Sequence, residues 1–318
     1  MMLKKSRFLV LVMALVLVIV SCTTFAAVKP IKLVYGVVFA RDHFFVKADE
    51  YFKKLVEKKS KGKILIDYFP MAQLGSNPEM LQATKSGAQD MYMDIPKLLT
   101  FELPYFYRNQ KHISKVADRY ISLVGQDDFV AKANMHVIGV RLASARQLTT
   151  KFPVNKLGDI KGVKIRVPES GMSLALWRTL GAVPTSIPAS DTYTALATGT
   201  VDAQENPFSD IYAWKFYEQV KYCAMTSHVQ LIYLMLINND RWNNLTKVQQ
   251  KILTDAAVKS CKYSDTLRIA KEKEYKELLT KGGMKFTTPD LAPFREKAKT
   301  IWSQFGDEEL IKKIQAIK

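Results

Sequence analysis

Short apolar runs alternate with longer amphipathic stretches along most of the chain. Ile31 to Gly36, Lys63 to Pro70, Ala88 to Met93, Met135 to Leu142 and Leu231 to Asn238 read as strands. Between the first two, Ala48, Tyr51, Phe52, Leu55 and Val56 share one helical face with lysines opposite, and Gly62 breaks the helix. Asn77-Pro78-Glu79 opens another helix with a capping residue and proline at the first position, and Gly87 stops it. His112 to Leu123 is predicted helical. Val163, Ile165 and Val167 alternate with Lys164 and Arg166, the period of a strand with one buried face. Pro168 lacks an N–H and ends that ladder. Ser170 suits the cap of a helix from Met172 to Leu180, and Gly181 its C-terminal stop.

Thr246-Lys247-Val248-Gln249 is a capping box, and the helix it opens runs to Lys281, before Gly282-Gly283. About 35 residues at 1.5 Å each reach roughly 50 Å, more than one lobe. The alternative is two helices with a kink near Ser264. One or two amphipathic helices from Pro293 to Ile317 form the tail and are expected on the second lobe. Leu81 to Asp90 and Tyr193 to Asp202 both read as helix, then Gly-x-x-Asp, then strand. This echo predicts an α/β fold of two similarly built lobes.

The first 26 residues break the pattern. Lys4, Lys5 and Arg7 precede the uncharged run Phe8 to Val20, too short to span a membrane and the right length for a signal-peptide core. Cleavage after Ala26 is one reading. The other is processing at Ile19-Val20-Ser21-Cys22, which would leave a lipid anchor on Cys22. Either reading places the protein outside the cytoplasm, in the periplasm. About 290 residues then remain, enough for two ordinary domains.

Charge changes the picture modestly. The chain has 47 Lys and Arg against 30 Asp and Glu, and loss of the leader lowers the net charge from +17 to about +14. That balance favours anionic partners. The lysines are scattered, as in Lys53-Lys54 and Lys58-Lys59, and no nucleic-acid motif accompanies them, so no nucleic-acid partner is expected. Cys223 and Cys261 read as separate buried thiols, although an exported compartment permits a disulfide. The four histidines, His43, His112, His136 and His228, form no metal-type pair in sequence, and no P-loop, dinucleotide fingerprint or CxxC pair appears. Neither cofactor, metal nor catalytic residue is assigned. An exported α/β hydrolase, the competing class, needs a nucleophile–base pair that the sequence does not display.

The candidate chemistry lies between residues 146 and 207. Arg166 sits at the carboxyl end of a strand beside a helix start, where open α/β sheets bind ligands. Its planar fork suits a carboxylate held bidentately; a structural salt bridge to a buried acid is the alternative. Arg146-Gln147-Leu148-Thr149, Lys164-Ile165-Arg166-Val167-Pro168-Glu169, Tyr193-Thr194-Ala195-Leu196, Gly199-Thr200-Val201-Asp202, Gln204-Glu205-Asn206-Pro207 and Phe216 to Tyr222 follow in order. Together they resemble the solute-binding proteins of tripartite ATP-independent periplasmic (TRAP) transporters. The resemblance runs from about residue 31 to at least 285 and includes Gln73-Leu74-Gly75 and Leu103-Pro104-Tyr105-Phe106.

The resemblance implies a two-lobed periplasmic binding protein fold with a ligand cleft between lobes and a long helix spanning both. Lobe I would comprise 27–143 plus 232–270, and lobe II 144–231 plus 271–318. It implies binding rather than catalysis, with an organic acid delivered to integral membrane subunits. Arg166 would form the salt bridge to the ligand carboxylate, and Arg146 would bind the same group or orient Arg166. Asn206 would donate to and accept from a hydroxyl or carboxylate oxygen. Gln204 and Glu205 would read hydroxyls, with anchoring of the turn before Pro207 as the alternative for Glu205. His43 and Asp94 are the first-lobe candidates; for His43 a packed, non-contacting role is the alternative. Two departures bear on the ligand: a shorter link from Asp90 to Pro104, and Ala189 where many relatives carry an aromatic. The polar Gln-Glu-Asn-Pro phrase suits a sugar acid such as a hexuronate, with a C4-dicarboxylate or other small carboxylate next.

Overall fold

The strand-like runs separate into two sheets. The computed structural model describes residues 29–94, 99–127 and 133–318; the predicted leader, its cleavage sites and Cys22 lie outside them. In the first sheet the order is β2-β1-β3-β10-β4, built from β1 (Ile31–Gly36), β2 (Ile64–Phe69), β3 (Met91–Asp94), β4 (Met135–Leu142) and β10 (Ile232–Asn238). The second runs β11-β9-β5-β8-β6-β7, from β5 (Gln147–Thr150), β6 (Lys164–Val167), β7 (Val183–Ser186), β8 (Ala203–Asn206), β9 (Tyr222–Ala224) and β11 (Lys285–Thr287).

Helices cover both sheets: α1 (Phe44–Lys59), α2 (Asn77–Ser86), α3 (Gln110–Asp118), α4 (Tyr120–Val124), α5 (Gly171–Leu180), α6 (Thr192–Ala197), α7 (Phe208–Ala213), α8 (Asn239–Asn243), α9 (Lys247–Lys281), α10 (Ala292–Lys299), α11 (Trp302–Phe305) and α12 (Glu308–Gln315). The cap of α2 is Ser76, one residue earlier than expected, because Glu79 closes the capping box on it. Ser170 caps α5 by accepting from Ser173 N–H, and Gly181 ends it at φ 102°, a conformation costly for any residue with a Cβ.

Strand β10 is the topological key. It follows the whole second sheet in sequence, yet inserts between β3 and β4 of the first, antiparallel to both. The chain therefore passes between sheets at 143–146, returns at 225–231, and runs beside both along α9. The two passing segments hydrogen-bond each other, Ala143 N–H to Leu231 O at 3.0 Å and Arg146 N–H to Val229 O at 2.8 Å. A two-stranded passage braced by a helix is a hinge of few degrees of freedom.

Helix α9 is one unbroken 35-residue helix rather than two, opened by the Thr246–Gln249 capping box. It packs on α1 and β4 of the first sheet and on α7 of the second, where Tyr275 meets Tyr212. In the first lobe it also closes a buried polar cluster. Arg141 on β4 pairs with Asp49 of α1 at 2.8 Å, both fully buried; Tyr35 and Tyr68 each donate to Asp49 at 2.9 Å, and Arg141 donates to Ser260 of α9 at 3.1 Å. Burial pushes the Asp49 carboxyl up, and these partners act against that push. The tail, expected on the second lobe, touches both. α10 packs on α5, whereas Trp302 donates to Pro104 O, Arg108 to Gln315 O, and His112 faces Ile314 O. Cys223 and Cys261 are free thiols.

Candidate binding site

Three adjacent strands of the second sheet bring the predicted residues together. β5 and β8 pair antiparallel with Gln147 opposite Asn206 and Thr149 opposite Gln204, and β6 adds Arg166 opposite Gln204 in parallel register. Register partners project from the same face, so Arg166 and Gln204 stand side by side, with Asn206 two residues along. β6 and β8 end, and β5 begins, at the edge where the chain crosses from the first lobe at residues 143–146. Across the gap lie Asp94 at the carboxyl end of β3, and Tyr92 and Tyr233; the charge of Glu169 acts on Tyr92 and that of Arg146 on Tyr233. His43 closes one side: its Nε2 lies 3.0 Å from Ser209 Oγ and 3.6 Å from Asp210 on α7.

The two arginines have different electrostatic situations. Arg146 forks onto Glu205: Nε donates to Oε2, Nη2 to Oε1 at 3.0 Å, and Nη2 also to the Glu205 carbonyl at 2.6 Å. His228 completes the group, with Nε2 3.0 Å from Glu205 Oε2 and Nδ1 2.9 Å from Thr226 Oγ1. Burial alone would raise the Glu205 carboxyl, but Arg146 and the His228 hydrogen bond hold it at about 2. This carboxylate is thus ionised at any physiological pH and neutralises Arg146. Behind the group, under Trp177 and Leu176 of α5, lies a cavity of about 30 Å³, the size of one water.

Arg166 has no carboxylate in ion-pair contact among the described residues, although the charges of Glu205, Glu169 and Asp210 act on it from farther away. It is 3% exposed. Its Nε donates to Ile187 O at 2.8 Å. Burial first, and the Arg146 cation second, lower its pKa to about 10. A buried cation in this state gains most from an anion that reaches both terminal nitrogens. Ala189, two residues past Ile187, starts a short 3₁₀ turn with a small, half-buried side chain.

The remaining candidates sort by geometry. Asn206 is 8% exposed and donates to Gln204 Oε1 at 2.7 Å. Gln204 is fully buried and donates to Thr149 Oγ1 at 2.5 Å, so it orients Asn206 from beneath. Glu205 holds Arg146. His43 caps α1 by accepting from Phe45 N–H and stacks on Phe39 and Phe44, so its ring is fixed where the lobes meet. Asp94 is 2% exposed on the first-lobe wall. Sequence reasoning did not select His228 or Tyr233. The first was one of four scattered histidines; the second sits in an apolar run where a tyrosine reads as core.

Two sheets joined by a paired passage and a shared long helix, with a buried arginine that no carboxylate pairs among the described residues, have the organisation of a two-lobed solute-binding protein. Residues 35–309 match the bacterial extracellular solute-binding protein family 7, and the chain belongs to that family, the solute receptors of TRAP transporters. Its similarity to the sialic acid-binding periplasmic protein SiaP of Vibrio cholerae is 30% identity over 274 residues, 82% of this chain and 85% of that one. A TRAP periplasmic solute-binding protein of Roseobacter denitrificans, solved with L-galactonate bound, superposes with TM-score 0.86 at 26% identity, covering 92% of this chain and 99% of the other. Another from Xanthobacter autotrophicus, with β-D-galacturonate, gives 0.85 at 29% identity over 90% and 100%. The family is one of transport proteins.

Proposed function

We propose that this protein captures a sugar acid, in the first instance a hexuronate, in the periplasm and hands it to the integral membrane subunits of a TRAP transporter. The observation that carries the reading is the contrast between the two buried arginines. Arg146 is neutralised by Glu205, whereas Arg166, 3% exposed, has no carboxylate in ion-pair contact among the described residues. A carboxylate is the anion whose geometry matches that fork. Asn206 sits beside it as a donor and acceptor for the carboxylate or the adjoining hydroxyl. Tyr233 and Asp94 face these groups from the first lobe and suit the hydroxyls of the sugar. The solved relatives holding L-galactonate and β-D-galacturonate support this ligand class. Binding, lobe closure and release complete the cycle; no chemical step on the ligand is assigned. A lipid on Cys22 would tether the receptor to the membrane, and cleavage after Ala26 would free it.

A thermal-shift screen of the exported form against hexuronates, aldonates, C4-dicarboxylates and sialic acid tests the proposal. At 100 times its Kd a ligand stabilises by about 2.7 kcal/mol, a visible shift. A hexuronate or aldonate hit that disappears in Arg166→Ala is the expected result. A hit confined to C4-dicarboxylates would replace the sugar acid, and shifts unaffected by Arg166→Ala would overturn the arginine clamp.

A further inference from the structure

Away from the cleft, lysines that read as scattered along the sequence are gathered by α1, the turn after it and α9 on one face of the first lobe, which solute capture does not use. Seven lysines lie between residues 47 and 63, against Asp49, Glu50 and Glu57. Asp49 is buried on Arg141, Glu57 is engaged by Lys53 at 2.8 Å, Asp255 of α9 holds Lys59 at 3.5 Å, and Glu50 is the exposed acid among the lysines. The solvent face of α1 presents Lys47, Tyr51, Lys54 and Lys58, one stripe at helical spacing. α9 lies alongside and turns Lys259, Lys262 and Tyr263 outward. The rings of Tyr51 and Tyr263, 36% and 39% exposed, meet at 5.0 Å, so the two helices form one continuous surface. The turn after α1 extends it: Lys61 at φ 54° and Gly62 at φ 74° swing the chain outward, leaving Lys61 and Lys63 in solvent.

A second observation says what meets this face. The described chain begins beside the same turn: Ile31 N–H donates to Lys63 O at 2.9 Å, and Lys29 and Lys32 are exposed next to it. A lipid on Cys22 would keep this turn within reach of a membrane surface. From Cys22 the reach to Ile31 is at most about 30 Å. α1 runs from the cleft contact at His43 to the turn about 24 Å away, so contact here leaves the cleft open to solute.

We infer that the outer face of α1 and α9, centred on the 58–63 turn, docks on the anionic headgroups of a membrane surface. Lysines act as mobile point charges, suited to a fluid headgroup layer rather than to a fixed bidentate partner. Exposed tyrosines suit the interfacial zone between headgroup and chain. The face is a convex pair of helices, which meets a broad surface more readily than it encloses a peptide.

The test is flotation of the chain from residue 27 with vesicles of phosphatidylcholine alone or with 30% phosphatidylglycerol, in roughly 0.05 M and 0.5 M NaCl. Binding to the anionic vesicles only, released by salt, is expected. Lys58→Glu/Lys59→Glu/Lys61→Glu/Lys63→Glu should weaken it by at least ~50-fold, at roughly fivefold per lysine. The charge-matched reversal of exposed second-lobe lysines, Lys156, Lys161, Lys215 and Lys221, should weaken it less than about threefold. A Lys→Gln set at the first four positions, showing the wild-type thermal shift with ligand, guards against misfolding. Equal loss in both reversals, equal binding to neutral vesicles, or no binding to anionic ones would overturn the inference. Binding only to vesicles carrying the transporter's membrane subunits would assign the face to a protein partner instead.

Discussion

Arg146 and Arg166 are the same residue type, twenty positions apart, with opposite electrostatic fates. The difference follows from Glu205, which reaches one and not the other. Arg166→Lys keeps a cation but loses the fork, so calorimetry should find affinity for the carboxylate ligand reduced by roughly 10- to 100-fold, against a loss of about 2–5 kcal/mol for Arg166→Ala. Glu205→Gln should do different damage. It strands the Arg146 cation in the interior, which costs about 3–5 kcal/mol of stability, read as a lower urea midpoint. The pH dependence has a definite sign. The Glu205 pKa falls from 4.5 to about 2 on folding, so its contribution is complete above about pH 4.5 and disappears as pH drops towards 2. That contribution is on the order of 3 kcal/mol. Urea unfolding of the wild type at pH 6 and pH 3 should show the loss, and Glu205→Gln should show a smaller one. The arginines were legible in sequence because of the motifs around them. The division of labour between them was not, since Glu205 and His228 approach Arg146 only through strand pairing and the return of the chain at the hinge.

At the scale of elements, β4 and α9 fit with little tolerance. A Cβ added at Gly139 would sit 2.9 Å from Cys261 Sγ and 3.2 Å from Met235 Sδ. Gly139 lies opposite Met235, where the register of β10 shifts. Gly139→Ala should therefore destabilise by about 1–3 kcal/mol in chemical denaturation, and Cys261→Ala in the same chain should recover part of it. The strands β1, β4, β6 and β10 and the caps of α5 and α9 were readable from period, proline, glycine and capping chemistry, because these are local rules. The helix predicted over 112–123 instead divides at Arg119 into α3 and α4. The tail helices divide between the two lobes. Both depend on what each apolar face meets, and a sequence does not state that.

At the scale of the whole molecule, the two lobes meet at the passage between sheets and at a contact across the cleft. In this conformation His43 of the first lobe touches Ser209 of the second. Ligand should lower the radius of gyration measured by small-angle scattering. His43→Ala should reduce the closed population and weaken apparent affinity by ~3- to 10-fold, leaving the ligand-bound radius unchanged. A weaker affinity with an altered bound radius would point to direct ligand contact by His43 instead.

The sequence by itself determined the alternation of helix and strand, the caps and stops, the single long helix as one of two readings, and the arginine-bearing motifs that resemble the family. Those features depend on residues within a few positions of one another, or on motif order along the chain. Only the tertiary structure decided that β10 inserts between β3 and β4, that Glu205 and His228 surround Arg146, and that Arg166 is left without a carboxylate in ion-pair contact among the described residues. Ion pairing and desolvation depend on distances of a few ångströms between residues as far apart in the chain as Arg146 and Glu205 or Asp49 and Arg141, and folding alone sets those distances.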